Sequence, residues 1–156
     1  GGTAYVEADK FAEKFAQSFK KKEISAQQKI LMRARLAFDG GYLPEAMTML
    51  KPLQENAFPS LRDKAEFQYR MGRLFQRQNR SDSAIGHYER AIALSLPQSF
   101  YFGAASALQK GYFCQAKGKK AKAIANFKQA LNYPKHEYKN SVDNKARAAL
   151  TLMGVE

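Results

Sequence analysis

The residue types that most often carry covalent chemistry are sparse in this chain and lie far apart in the sequence. Cys114 is the only cysteine, and His87 and His136 are the only histidines among 156 residues. A nucleophilic thiol needs a base within hydrogen-bond reach, and a metal site needs spaced ligands such as CxxC or HxxxH. Neither pattern occurs, and no phosphate-binding loop or dinucleotide fingerprint is present. We therefore expect a protein without catalytic activity, bound metal or cofactor.

Basic side chains offer a different chemistry, the binding of anions. The chain carries 26 Lys and Arg against 14 Asp and Glu, a formal net charge of +12, and the excess is concentrated toward the C-terminus. The lysine cluster there comprises Lys117, Lys119, Lys120, Lys122 and Lys128. Such a cluster is either a solvated edge or a surface that attracts nucleic acid, an anionic membrane or an acidic protein. The solvated edge is the commoner case, and the anion surface is kept as the alternative.

Three side chains in the middle of the chain could recognise a carboxylate. Tyr69, Arg73 and Arg77 recur at intervals of four residues, so a helix would bring them to one face. A guanidinium group can donate two parallel hydrogen bonds to a carboxylate, and an aromatic ring adds rigid contact area. The set suits an extended segment with acidic or C-terminal carboxylate character. Alternatively, it is a solvated face whose arginines pair with Asp39 and Glu66.

The elements that must position these groups follow from a repeated pattern of small and aromatic residues. A glycine is followed twelve residues later by an alanine and four residues after that by an aromatic ring: Gly72, Ala84 and Tyr88, then Gly111, Ala123 and Phe127. A weaker third copy lies upstream with Ala34, Ala46 and Leu50. Small residues at such positions let two antiparallel helices approach closely. The pattern therefore predicts repeated units of helix, turn and helix.

Over residues 27–135 this pattern resembles the tetratricopeptide repeat family. The residues that carry the resemblance are Met71, Gly72, Phe75, Ala84, Tyr88, Ala91 and Pro97 in the second unit and Gly111, Cys114, Ala123, Phe127, Ala130 and Pro134 in the third. The chain departs from the family in lacking Trp and in spacing its units by 38 and 39 residues, against about 34 in the family. We expect the extra residues between the units, at 61–64 and 99–103, with Ser99 as a helix cap followed by an extra helical turn that includes Tyr101.

The resemblance implies an all-helical domain, a right-handed superhelix of about three helix pairs with a capping helix at each end. The expected limits are 4–22 for the N-terminal helix, 27–60, 65–98 and 99–135 for the three repeats, and 138–154 for the C-terminal helix. Pro52 falls inside the second helix of the first repeat and should kink or end it, since proline has no N–H to donate. The first repeat is therefore expected to be the least regular.

The N-terminal helix is predicted from the helical spacing of Phe11, Phe15 and Phe19. This apolar stripe is expected to dock on the first repeat, with a membrane-surface anchor as the less favoured interpretation. If preceding repeats of a longer chain are missing, the stripe would instead promote weak self-association of an otherwise monomeric domain. The paired glycines Gly1 and Gly2 suggest an engineering remnant or a cut within a longer chain, and we expect the C-terminal region of a larger bacterial repeat protein.

In arrays of this family the first helices of the units line a concave groove, which implies where a partner would bind. That register places Arg35, Tyr69, Arg73, Arg77 and Tyr112 in the groove. The expected function is a scaffold that binds an extended peptide or a helix of a partner protein, and the alternative is an anion-surface binder that uses the lysine cluster. Nucleic acid is the less expected partner. No apolar stretch approaches the ~20 residues that cross a bilayer, no secretory signal is visible, and the compartment stays open.

Overall fold

The computed structural model describes residues 25–133 and 138–155 and forms an all-helical repeat array in these ranges, which confirms the predicted fold class. Its α-helices are α1 (Ala26–Asp39), α2 (Leu43–Leu50), α3 (Leu61–Arg77), α4 (Ser81–Ser95), α5 (Tyr101–Ala116), α6 (Lys120–Leu131) and α7 (Lys139–Leu152). A short 3₁₀ helix, Glu55–Ala57, lies between α2 and α3. The consecutive pairs α1–α2, α3–α4 and α5–α6 pack together, and α7 packs on the last pair.

The first helices of the pairs form one layer of the solenoid. Helix α1 contacts α3, α3 contacts α5, and α5 contacts α7, while the second helices α2, α4 and α6 lie in the other layer. Helix α7 therefore takes the place that the first helix of a fourth pair would occupy. This arrangement brings four helices side by side along one face of the array.

The second and third pairs are each held by an aromatic ring that packs directly on a glycine. A Cβ atom added to Gly72 would lie 2.5 Å from Cε1 of Tyr88, and a Cβ atom on Gly111 would overlap the ring of Phe127 in the same way. Both rings are fully buried. The glycine and the ring of the repeated pattern are therefore direct packing partners, which explains why they recur together.

The turns inside the pairs repeat as well. Gly41, Asn79 and Gly118 occupy the same place in the three units and adopt positive φ angles of 84°, 58° and 72°. Glycine reaches this left-handed region without steric penalty, and asparagine tolerates it better than most residues. The unit lengths of 38 and 39 residues inferred from the sequence are thus reproduced by the backbone.

Residues 61–64, which we expected between the units, instead form the first turn of α3, whereas the extra helical turn expected after Ser99 is present as the first turn of α5. Helix α3 already begins at Leu61, after Ser60 accepts a 3.1 Å hydrogen bond from the backbone N–H of Asp63. Helix α5 begins at Tyr101, so residues 101–103 form its first turn. Ser99 is not its cap, because Ser99 has a φ of 53° and Phe100 holds the N-cap position without a side-chain hydrogen bond.

The first pair is the least regular, as predicted from its proline. Helix α2 has 8 residues, whereas α4 has 15 and α6 has 12. It ends at Leu50, before Pro52 can interrupt its hydrogen bonds. The chain then continues through the 3₁₀ helix to Phe58, whose fully buried ring packs 5.1 Å from that of Phe67 and closes the core of this pair.

Two sequence expectations concern residues outside the described part of the chain. They are the N-terminal helix over 4–22, with the apolar stripe Phe11, Phe15 and Phe19, and the loop that contains His136. Across 25–133 and 138–155, no helix combines the length and apolar character that crossing a membrane requires.

The contact between Gly72 and Tyr88 gives a direct stability test. We expect Gly72→Ala to lower the free energy of unfolding by about 1–3 kcal/mol, because the added methyl group must displace a fully buried ring. Urea-induced unfolding followed by circular dichroism measures the change.

Gly86 in α4 is the matched control for this test. A Cβ atom added there meets nothing within 4 Å. Gly86→Ala should therefore raise the free energy of unfolding by about 0.5–1 kcal/mol through helix propensity alone. Equal effects of the two substitutions would contradict the packing role of Gly72.

Candidate functional site

The layer of first helices encloses two adjoining cavities of about 210 and 420 Å³, which we call the groove. Both cavities are lined by the same side chains from α1, α3, α5 and the start of α7: Arg35, Tyr69, Arg73, Tyr101 and Tyr138. The smaller cavity extends toward Phe38 and Phe102, and the larger one extends toward Gln109 and Lys145. The groove therefore crosses all four helices of the layer.

Tyr69 forms the floor of the groove. Its side chain is buried, and its ring lies 6.1 Å from the rings of both Tyr88 and Tyr101 and 5.7 Å from that of Phe102. Burial raises the pKa of Tyr69 well above its usual value of 10. The hydroxyl group therefore keeps its proton, and the residue contributes a rigid neutral surface to the groove.

Two of the predicted groove arginines pack on one ring. The guanidinium carbon atoms of Arg73 and Arg77 each lie 5.2 Å from the centre of the Phe38 ring, which links α3 to α1. Arg73 also donates a 3.3 Å hydrogen bond from Nη1 to Oε1 of Gln76. Neither arginine forms an ion pair with a carboxylate of the described residues. Among residues 25–133 and 138–155, therefore, no acidic neighbour neutralises the charge of either arginine.

A hydrogen-bonded glutamine connects three helices beneath the arginines. The side chain of Gln76 in α3 accepts a hydrogen bond from the hydroxyl group of Tyr88 in α4. It also donates a 3.2 Å hydrogen bond from Nε2 to Oε1 of Gln109 in α5. Because Gln76 also accepts the bond from Arg73, its amide group fixes the position of that arginine relative to the neighbouring helices.

Counted over the described residues, the lining of the groove carries more positive than negative charge. Its lining includes five basic side chains, Arg35, Arg62, Arg70, Arg73 and Lys145, and two carboxylates, Asp39 and Glu66. The carboxylates are already engaged, since Glu66 lies 2.6 Å from Arg70 and 3.5 Å from Arg62, and Asp39 lies 3.8 Å from Arg35. The sequence left open that the arginines pair with these two acids. Arg35 forms such an ion pair with Asp39, whereas Arg73 forms none with either acid.

The five side chains expected in the groove divide into two sets. Arg35, Tyr69 and Arg73 come together on the lining of both cavities. Arg77 lies one helical turn further along α3, exposed beside Phe38. Tyr112 does not line either cavity; its ring meets Phe127 edge-on at 5.4 Å, and burial raises its pKa above 10.

Tyr101, Tyr138 and Lys145 line the groove but were not anticipated from the sequence. Tyr101 was assigned to an extra turn, and the other two belong to a helix that the sequence suggested only as a cap. A signal was present, because Tyr138, Ser141, Val142 and Lys145 follow helical spacing of three and four residues. That stripe faces the larger cavity.

The lysine cluster lies at the turn between α5 and α6 and along α6, and none of its side chains lines either cavity of the groove. All five side chains are exposed, and within the described residues none forms an ion pair: Lys117, Lys119, Lys120, Lys122 and Lys128. The first turn of α6 contains no acidic residue. Its lysines therefore add to the partial positive charge of a helix N-terminus.

A third cavity of about 590 Å³ opens on the outer side of α4, near the 3₁₀ helix. The carboxylate of Glu55 there accepts hydrogen bonds of 2.7 and 2.8 Å from Arg90 and one of 3.1 Å from Gln68. Hydrogen bonding by Arg90 is the main reason why the pKa of Glu55 is lowered from its usual value of 4.5. The Nδ1 atom of His87 lies 2.6 Å from Oε1 of Gln68, and the imidazole ring stacks on Phe75.

Cys114 is half-buried at the interface of α5 and α6. Its Sγ atom lies 3.7 Å from Nδ2 of Asn126, which donates to it. Across the described ranges, no group of three or more His, Cys, Asp or Glu side chains is arranged to hold a metal ion.

The architecture and the groove define a helical-repeat solenoid, and comparison with known families refines this class. The family model for the tetratricopeptide repeat matches residues 65–96 and 104–136, which correspond to the second and third helix pairs. These matches support a place in the tetratricopeptide repeat family, whose repeats generally mediate interactions between proteins. Searches of curated proteins and of solved structures found no match to the chain.

The environment of His87 predicts a pH dependence of stability. Burial lowers the pKa of His87 from its usual value of 6.5, so the unfolded chain takes up a proton at a higher pH than the folded one. The free energy of unfolding should therefore fall as the pH drops through 6.5 toward the folded-state pKa. The pKa of Glu55 is also lowered, so its contribution to stability is lost in the same direction, but only as the pH falls through 4.5.

Urea unfolding at pH 7.5, 6.5 and 5.5 measures this dependence. The variant His87→Gln keeps a hydrogen-bonding amide at the position and removes the titration. Its free energy of unfolding should change less than that of the wild type over this interval. An identical pH dependence of both proteins would show that another group is responsible.

Proposed function

We propose that the chain is an interaction module whose groove captures an extended segment or a helix of a partner protein. The observation that carries the proposal is the set of Arg35, Tyr69 and Arg73 on the lining of both cavities. The buried tyrosine supplies a rigid floor, and Arg73 supplies a charge without a carboxylate partner among the described residues. Such a combination favours a segment of acidic character.

The packing of the arginines supports the proposal on physical grounds. A guanidinium group that lies over a ring uses its flat face, whereas its five N–H donors point outward from its edge. Arg73 and Arg77 can therefore stay on Phe38 and still donate hydrogen bonds to a bound carboxylate. Because both side chains already pack on a ring, binding would cost less side-chain entropy than it would for surface arginines without such a contact.

The double substitution Arg73→Ala, Arg77→Ala tests the groove. In a pull-down from nuclease-treated lysate, a protein retained by the wild type at moderate salt should be lost by the variant. The reason is the loss of Arg73 from the lining of the groove and of Arg77 beside it, together with their contacts to Phe38. Retention is measured by quantitative mass spectrometry of the eluates.

Arg80→Ala is the matched control, because Arg80 also packs on an aromatic ring, 5.1 Å from the centre of Phe75, and lies at the turn between α3 and α4. This variant should retain the same protein as the wild type. Retention that is unchanged in the double variant, or lost equally in the Arg80 control, would refute the groove as the binding site.

The lysine cluster supports a second candidate function, the binding of a polyanion at the outer surface. The observation in its favour is the position of Lys119, Lys120 and Lys122 at the start of α6, where the helix dipole adds positive potential. Lysine ammonium groups without aromatic neighbours act as point charges, so this surface would bind nucleic acid or anionic lipid with little sequence or headgroup preference.

Salt dependence distinguishes the two candidate functions. A fluorescein-labelled 20-nucleotide RNA and vesicles with 30% phosphatidylserine serve as probes. If the cluster binds polyanions, affinity for RNA should fall about 10-fold or more between 50 and 200 mM salt, because neutralised phosphates release counterions. The triple variant Lys119→Ala, Lys120→Ala, Lys122→Ala should abolish binding, whereas Arg73→Ala, Arg77→Ala should leave it unchanged. Absence of binding to both probes at 50 mM salt would eliminate this candidate.

A further inference from the structure

We propose that α7 completes the groove and that the segment bound there is acidic and carries an aromatic side chain. In this inference Tyr138 and Tyr101 receive the ring, while Lys145 and Arg73 receive carboxylates. It rests on the proposed function and adds the chemistry of the occupant. It also assigns a recognition role to a helix that lies outside the two matched repeats.

The first step of the argument is the position of the α7 side chains. Tyr138, Ser141, Val142 and Lys145 all line the larger cavity, and their spacing places them on one face of the helix. Helix α7 contacts α5 and α6, so it continues the layer of first helices. The wall that it forms is therefore a regular continuation of the groove.

The second step is the conformation of Tyr138. Its backbone has a φ of 58°, in the left-handed region, and its side chain is 63% exposed. A bulky side chain rarely adopts this conformation, and such strain concentrates at sites of function. Tyr138 lines both cavities, and its ring meets that of Tyr101 edge-on at 5.5 Å. The strained backbone thus presents an exposed ring at the mouth of the groove.

The geometry of this pair indicates an aromatic side chain on the bound segment. Aromatic rings attract each other in edge-to-face and offset-stacked arrangements, in which the rim of one ring contacts the face of the next. The rings of Tyr69, Tyr101 and Tyr138 already follow one another at 6.1 and 5.5 Å. A ring from the partner would extend this row over the exposed surface of Tyr138 and remove that surface from water.

The charges indicate that the same segment is acidic. Arg73 and Lys145 line the larger cavity, and neither forms an ion pair within the described part of the chain. Of the residues that the structure describes, no acidic side chain lines that cavity. A carboxylate that enters it would therefore meet unneutralised cations on two sides, α3 and α7. An RNA strand would also offer rings and negative charge, but the family match favours a protein, and RNA is treated as an outcome of the test.

A library of random 12-residue peptides displayed on phage tests the occupant without assuming its sequence. Selection is performed on the full chain, with counter-selection on Arg73→Ala, Arg77→Ala. Enriched peptides should contain an excess of Asp and Glu and at least one Phe, Tyr or Trp. Basic or purely aliphatic sequences that still depend on Arg73 and Arg77 would overturn this inference and leave the proposed function intact. If no peptide is enriched in a way that depends on these arginines, both this inference and the proposed function are overturned.

The best peptide is then synthesised with a fluorescein label and titrated by fluorescence anisotropy. Tyr138→Asn removes the ring while asparagine tolerates the left-handed backbone, and Kd should rise about 3- to 10-fold through loss of aromatic contact. Tyr138→Phe should restore wild-type affinity. Lys145→Gln should raise Kd about 2- to 5-fold and weaken the salt dependence of binding.

Lys128→Gln serves as the charge control, because Lys128 is exposed on α6 and does not line the groove. Its Kd should equal that of the wild type. Thermal unfolding of every variant verifies that the fold is retained. Unchanged affinity in Tyr138→Asn and Lys145→Gln would refute the role of α7. A 15-nucleotide RNA is tested as a competitor. If the RNA displaces the peptide with equal affinity, and if Tyr138→Asn weakens RNA binding, the groove binds nucleic acid and the proposal of an acidic peptide is overturned.

Discussion

Direct contact between an aromatic ring and a glycine is the constraint on which the rest of the structure depends. The rings of Tyr88 and Phe127 occupy space that any side chain at Gly72 or Gly111 would fill, so the two helices of each pair approach until ring and backbone touch. Close-packed interiors transmit such distances rigidly. Because the same contact recurs one unit later, the second and third pairs share one geometry, and their first helices come to lie side by side in a single layer.

The positions of the side chains in the groove depend on that packing. Tyr88 fills the space above Gly72 and also donates its hydroxyl hydrogen bond to Gln76, which in turn holds Gln109 and accepts the bond from Arg73. A buried ring in the core and an arginine in the groove are therefore connected through one amide group. The consequence for recognition is preorganisation, since a side chain that is ordered before binding loses less entropy when the partner arrives.

The two basic surfaces of the molecule differ in kind. Arg73 in the groove and Arg77 next to it lie against Phe38, where a weakly hydrated guanidinium group can pack and still donate in fixed directions. The lysine cluster around α6 is exposed, strongly hydrated and free of aromatic contact among the described residues. The groove favours a partner whose shape is complementary to it. The lysine cluster attracts a partner through charge alone, and salt weakens that attraction. Net charge by itself does not distinguish these cases.

The sequence alone determined the repeat. The glycine, alanine and aromatic spacing predicted the helix pairs because those residues touch each other, and the 3.6-residue period predicted that Tyr69 and Arg73 share a face. Pro52 predicted the short second helix because its missing N–H is a local property. Local chemistry was less informative at the unit boundaries. It indicated an extra helical turn near Tyr101, but it did not show that residues 61–64 would extend α3 or that Phe100 would hold the N-cap position of α5.

Only the tertiary structure decided which side chains meet. Tyr112 shares the repeat position of Arg73, yet its ring packs on Phe127, while Tyr138 and Lys145 reach the groove from α7, outside the three helix pairs. The reason is physical. Periodicity fixes the direction of a side chain around its own helix, but contact with a second helix depends on packing distances that are set by residues far away in the chain.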